Sequence, residues 1–131
     1  MKISCADYKS GDMQILLHHI YEYKKGLRNL VLHTMSKNEQ YLAEELLIRK
    51  GIYYIIQDVN DRKINVFFGR NQCVKIVESF GNKSLSDFSD EEDFILGIML
   101  GYDRTQQCDR YMKRKGINTE FAEINRLVNI N

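Results

Sequence analysis

IYYIIQDV at residues 52–59 and INVFFG at residues 64–69 decide how this chain folds. Both runs are dense in β-branched and aromatic residues. The polar tetrad Asn60-Asp61-Arg62-Lys63 between them turns the chain, so the pair reads as an antiparallel hairpin. The first run is almost wholly apolar at its start, the pattern of a central strand covered on both faces.

Helical patterns flank this hairpin. Ser36 followed by Glu39 writes a capping box, and residues 36–50 carry Tyr41, Leu42, Leu46 and either Leu47 or Ile48 on one face, ending at Arg49-Lys50-Gly51. Downstream, NQCVKIVESF (71–80) turns Val74 and Val77 inward, with Cys73 and Phe80 beside them, and closes on Gly81-Asn82. Upstream, MQILLHHIY (13–21) reads as a first strand, Tyr23-Lys24-Lys25-Gly26 as a turn, and LRNLVLHTM (27–35) as a second strand. A helical stripe through Ile20, Tyr23, Leu27, Leu30, Val31 and Thr34 competes over 20–35. The hairpin is preferred because a helix cannot end and restart within one residue of Ser36. The expected fold is α+β: a mainly antiparallel sheet of about four strands in ββαββα order, covered by helices, with a C-terminal helical segment. Residues 13–116 form the single domain, 1–12 a loose leader, and 117–131 a short helix or tail carrying Phe121, Ile124 and Leu127 or Val128.

The C-terminal segment of that domain, SDEEDFILGIMLGYDRTQQCDRYMKRKG (89–116), is the most fully written helical stretch. Ser89 and Glu92 form a capping box, Asp90 to Asp93 are acidic, Arg110 and Lys113 to Lys115 are basic, and Gly116 sits where a left-handed residue ends a helix. One continuous helix of that length would outrun a compact domain of this size. Asp103 with Gln106 supplies a fresh cap, so the stretch reads as two helices broken at 101–103. Gly97 and Gly101 each cost about 1 kcal/mol against alanine inside a helix. They therefore point to close packing, either within the chain or against a second copy in a homodimer.

Composition excludes several classes. With 19 Lys and Arg against 18 Asp and Glu, the net charge is +1, which gives no support to a nucleic-acid or anionic-membrane partner. No apolar run approaches a transmembrane or signal segment, and a cytoplasmic protein is expected. The three cysteines are far apart, form no CxxC and make no disulfide framework.

Among chemistry-bearing residues, His18 or His19 can approach His33 across the expected hairpin, with Glu22 as a carboxylate. Neighbours on a strand point to opposite faces and no third ligand is placed, so no metal or other cofactor is assigned. Cys108 has Arg104 and Arg110 nearby but no local base, and no catalytic residue is assigned. Gly51-Ile52-Tyr53 followed by Phe67-Phe68-Gly69 resembles a GIY-YIG nuclease hairpin, yet the tyrosine of the second half is missing and the arginine and glutamate are misplaced. Tyr102-Asp103-Arg104, at the expected break, is the most site-like cluster, because a helix junction can present backbone donors to an anion. This makes a small-molecule or anion-binding regulatory domain the alternative to an interaction protein; an enzyme is the third reading.

The segments LLHHIYEYKKGLRNLVLHT (16–34) and EEDFILGIMLGYDRTQQCDRY (91–111) resemble the small bacterial family known as DUF2023, over roughly residues 13–115. The resemblance implies no activity and no catalytic residue. It implies a bacterial cytosolic protein associated through gene neighbourhood with flavodoxin. Flavodoxins are acidic, so a partner is expected to offer a basic, partly apolar face, for which Lys24, Lys25, Arg28, Arg104 and Arg110 are the candidate residues. The leading expectation is a non-catalytic accessory protein that binds such a partner.

Overall fold

A computed structural model describes residues 8–117. Five α-helices and a three-stranded antiparallel sheet make an α+β fold, with α1 at Gly11–Lys24, β1 at Leu30–Ser36, α2 at Gln40–Arg49, β2 at Tyr53–Asp58, β3 at Lys63–Gly69, α3 at Asn71–Ser79, α4 at Asp90–Met99 and α5 at Arg104–Lys115. Short 3-10 turns occupy Lys37–Glu39 and Leu85–Asp87.

β3 is the central strand, antiparallel to β1 on one side and to β2 on the other. Side chains alternate between faces along a strand. Ile64, Val66 and Phe68 enter one core with Met13, Leu16 and Ile20 of α1 and Ala43, Leu46 and Leu47 of α2. Phe67 enters a second core with Val74 and Val77 of α3, Phe88, and Leu96 and Leu100 of α4. The sheet is thus the middle layer, with α1 and α2 on one face, α3 and α4 on the other.

The expected first hairpin is corrected: residues 13–21 belong to α1, and the sheet has three strands in αβαββα order instead of four in ββαββα. Met13, Leu16 and Ile20 recur at helical spacing and are all buried, whereas a strand would send alternate members of MQILLHHIY to solvent. Gly26 does not turn a hairpin. It ends α1 at φ 79°, with its N–H donated to the Tyr23 carbonyl and that of Leu27 to Glu22. The competing helix over 20–35 also fails, because the chain leaves α1 there and enters β1 at Leu30.

The Ser36–Glu39 capping box that favoured the hairpin does not form. Ser36 Oγ accepts only the Asn38 N–H, at 3.3 Å, while the Glu39 carboxylate accepts the Ser10 hydroxyl at 2.8 Å. Ser10 itself caps α1 by accepting the Met13 N–H at 3.2 Å. The end of the expected leader is therefore an anchor. Asp12 adds to it, its carboxylate accepting the Ser36 N–H at 2.8 Å and its carbonyl lying 3.0 Å from His33 Nε2. Residues 1–7 of the leader and the expected helix through Phe121 to Val128 lie outside the described residues.

On the α3 face, a hydrogen-bonded row crosses all three strands. The Thr34 hydroxyl donates to Asn65 at 2.6 Å, the Asn65 amide to Gln57 at 3.2 Å, and the Gln57 amide to the Lys83 carbonyl. Asn65 and Gln57 are buried, and each has a partner, so the row closes that core without an orphaned polar group.

Ser10→Ala removes both the α1 cap and the contact to Glu39. Loss of a cap of this kind costs about 1 kcal/mol, and thermal unfolding should fall by roughly 3–6 °C. An unchanged midpoint would show that α1 does not depend on this anchor.

Candidate functional site

The break expected at 101–103 is present. Gly101 adopts φ 85°, its N–H is donated to the Ile98 carbonyl at 3.1 Å, and the Tyr102 N–H to Gly97 at 3.1 Å. This closes α4. Asp103 then accepts the Gln106 N–H at 2.9 Å and starts α5. At the far end, Ser89 and Glu92 exchange both bonds of the capping box, and Gly116 takes the left-handed conformation at φ 74°.

The helices run antiparallel, and the charge gradient read along one stretch folds back on itself. Arg110 grips Asp93 through two nitrogens at 2.8 and 3.2 Å. Arg114 reaches Asp90 at 2.9 Å and Asp93 at 3.1 Å, and Lys115 reaches Glu91 at 2.7 Å. The acidic first turn of α4 thus meets the basic last turn of α5. The Arg110 guanidinium holds the Asp93 carboxyl below its ordinary range, and Lys115 does the same for Glu91. At Gly97 a β-carbon would meet the end of the Gln107 side chain. That side chain lies over this position, and an alanine there would require it to move.

Two grooves result. The smaller, about 190 Å³, is lined by Asp93, Gly97, Tyr102, Gln107 and Arg110, and so unites three of the residues singled out from the sequence. Its polar groups are largely engaged, with Arg110 bound to Asp93 and the α5 N-terminus capped by the Asp103 carboxylate. The larger, about 430 Å³ and predominantly apolar, lies on the outer side of the hairpin between Phe94, Ile95, Cys108, Tyr111 and Met112, with Glu91 at its edge. Sequence reasoning missed this groove. Its signal was an apolar pair at Tyr111 and Met112, one turn beyond Cys108 in an otherwise polar helix. No α5 residue is fully buried, and Tyr111 and Met112 are half-buried.

The expected basic face is not one surface. Lys24, Lys25 and Arg28 stand at the end of α1, whereas Arg104 and Arg110 stand on α5, beyond α4 on the opposite side of the sheet. Lys24 donates to the Lys50 carbonyl at 3.0 Å, Lys25 lies 5.4 Å from the Tyr21 ring centre, and Arg28 contacts His19 Nδ1 at 3.0 Å.

His19 and His33 do approach each other, with ring centres 5.5 Å apart, but as helix against strand and not across a hairpin. Arg28 donates to His19 Nδ1, a bond that requires that nitrogen to be unprotonated, and His33 donates to the Asp12 carbonyl. Burial, reinforced for His19 by Arg28 and His33, pushes both below the usual histidine value. Glu22 lies within 3.7 Å of His18 and His19. Among the described residues no group of three or more His, Cys, Asp or Glu is arranged to hold a metal ion. Cys108 is exposed in the apolar groove. No helix of the described residues is long and apolar enough to cross a membrane.

Sheet, two covering layers and an outer helix α5 folded back on α4 define a small α+β protein with an apolar groove between α4 and α5. The chain belongs to the family described as a protein of unknown function, DUF2023, whose model matches residues 14–114. No curated protein matches it.

Two tests follow from this geometry. Asp93→Asn removes the partner of Arg110 and one of the two partners of Arg114, so amides of α5 should exchange faster while those of β3 keep their protection, and high salt should act in the same direction. Equal loss of protection in both would show that α5 is no separate unit. For the histidine pair, the folded values lie below the ordinary 6.5. Acid therefore protonates the unfolded chain first, and stability should fall as pH drops below about 6.5. Thermal midpoints from pH 7.5 to 5 measure this, and a flat profile would contradict it.

Proposed function

We propose that the chain is a non-catalytic accessory protein of the cytosol that docks a flavodoxin-type redox partner on the outer groove of the α4–α5 hairpin. The observation that carries the reading is α5 itself: twelve residues, none fully buried, joined to α4 by ion pairs and by the Tyr111 ring 5.4 Å from that of Phe94, with Met112 and Ile95 beside them in the groove. A helix that contributes so little to its own domain's core is accounted for by what it offers outside. An apolar centre within a charged rim is the usual anatomy of a docking surface.

The flavodoxin assignment rests on the family's implied gene neighbourhood and on charge. Arg104 is exposed and makes no ion pair among the described residues, so it can meet an acidic partner, whereas Arg110 is already committed to Asp93. The alternative of anion binding at 102–104 loses its main support, because the Asp103 carboxylate takes the place at the helix start where an anion would sit.

Titration calorimetry against flavodoxin of the same genome tests the proposal. Met112→Asp places a charge in the groove and should weaken binding by at least about 10-fold. Arg104→Glu should weaken it most at low salt. Absence of binding by the unaltered chain would end the flavodoxin reading, and binding unaffected by Met112→Asp would move the site elsewhere.

A further inference from the structure

The apolar groove between α4 and α5 opens beside the point where the chain leaves α5. Cys108 is exposed in it, Tyr111 and Met112 are half-buried, and Ile95 is 38% exposed. At the end of α5 the Gly116 N–H is donated to the Lys113 carbonyl at 3.2 Å and the Ile117 N–H to the Met112 carbonyl at 2.8 Å. These are the paired bonds of a helix end that turns the chain off its axis at a left-handed glycine. The chain thus departs bonded to Met112, itself a residue of the groove, with Ile117 48% exposed.

The sequence NTEFAEINRLVNIN (118–131) follows directly. Phe121, Ile124 and Val128 recur at intervals of three and four, which on a helix makes one apolar stripe, with Arg126 on the opposite side and Asn118 or Thr119 to cap the start. Read as a helix, Phe121 to Val128 spans about 10 Å, against about 6 Å from Cys108 to Met112 along α5. We infer that this stretch returns antiparallel to α5 and lays Phe121, Ile124 and Val128 in the groove, so that the occupant of the apolar surface is a segment of the same chain.

Proximity favours this occupant over a second molecule. Three residues separate Ile117 from Phe121, so the stripe is tethered at the mouth of the groove. A tether that short holds it there at a local concentration of the order of millimolar, and the contact forgoes the loss of free translation that two separate molecules suffer. The contact itself needs no partner. Its consequence rests on the docking reading: a partner that uses Ile95, Tyr111 and Met112 must first displace residues 118–131, which therefore set a threshold for docking.

Disulfide cross-linking in the full chain is the test. With Cys5→Ser and Ile124→Cys in place, oxidised glutathione should join position 124 to Cys108 within one molecule. The bond should form at least about 10-fold faster than from Arg126→Cys, which lies off the stripe. Peptide mass mapping identifies the bond, and denaturing electrophoresis without reductant shows whether it lies within one molecule. Equal rates from the two positions overturn the inference, and so does a disulfide-linked dimer as the main product, which would seat the stretch of one copy on another. A second measurement introduces no cysteine: Phe121→Asp should speed alkylation of Cys108 by N-ethylmaleimide at least about 3-fold, as a covered thiol becomes accessible. An unchanged rate overturns the inference equally. Flavodoxin enters neither measurement, so the contact and the docking reading can fail separately. Where flavodoxin binds the unaltered chain, Phe121→Asp should tighten that binding at least about 3-fold, because no competitor remains to be displaced; unchanged affinity overturns the threshold.

Discussion

Burial of β3 on both faces is the constraint on which the rest of the structure depends. Among the described residues it is the one strand paired on both sides, and Ile64, Val66, Phe67 and Phe68 are all fully buried. A strand with apolar residues at successive positions cannot leave one face to water. Helices must cover both, and the chain supplies α1 and α2 to one side, α3 and α4 to the other. The asparagine at position 65 is tolerated in this setting only because Thr34 and Gln57 satisfy it along the row that crosses the sheet.

That constraint accounts for four of the five helices and leaves α5 aside. Its attachment is of a different physical kind, resting on the antiparallel meeting of an acidic helix start and a basic helix end. Each set of charges is favourable at its own helix terminus, and the reversal at Gly101 lets the two sets answer each other as well. Individually such exposed pairs are weak, and as a network of two arginines and a lysine on three carboxylates they hold a helix that has no core of its own. An element held by screened charge with an apolar groove on its far side is suited to reversible contact, and it differs in this from the packed layers beneath it.

How far the chain was legible depended on whether a segment's environment was written locally. The hairpin of β2 and β3, the ends of α3 and the break between α4 and α5 were readable, because turn residues, caps and glycines lie within the segments they control. The centrality of the hairpin was readable too, but assigned to the wrong member: β3, with INVFFG, is the middle strand and IYYIIQDV is an edge. Which of two apolar strands gains a second neighbour depends on β1, whose residues pair with β3 from 27 to 39 positions away. The α1 segment was misread because Ser36 and Glu39 match a capping box in sequence, while Glu39 in fact binds Ser10, 29 residues upstream. A carboxylate takes whichever donor the fold brings closest. The candidate site was legible in part. Gly97, Tyr102 and Arg110 do meet in one groove, but the larger apolar groove depends on which faces of α4 and α5 turn toward each other.

By itself, the sequence determined the α+β class, the hairpin, the helix boundaries around Gly101 and Gly116, and the family, since all of these are carried by side chains acting on their own or neighbouring backbone. Only the tertiary structure decided that residues 13–21 are helix, that β3 and not β2 is central, and that the basic residues at 24–28 and 104–110 stand on opposite sides of the sheet. The same holds for the 89–116 stretch, whose charges turn inward on one another while its apolar side turns out. Helix, strand and cap propensities act over a few residues. Layer order and the choice of ion-pair partner are fixed by burial and proximity, which come into being only when distant segments pack.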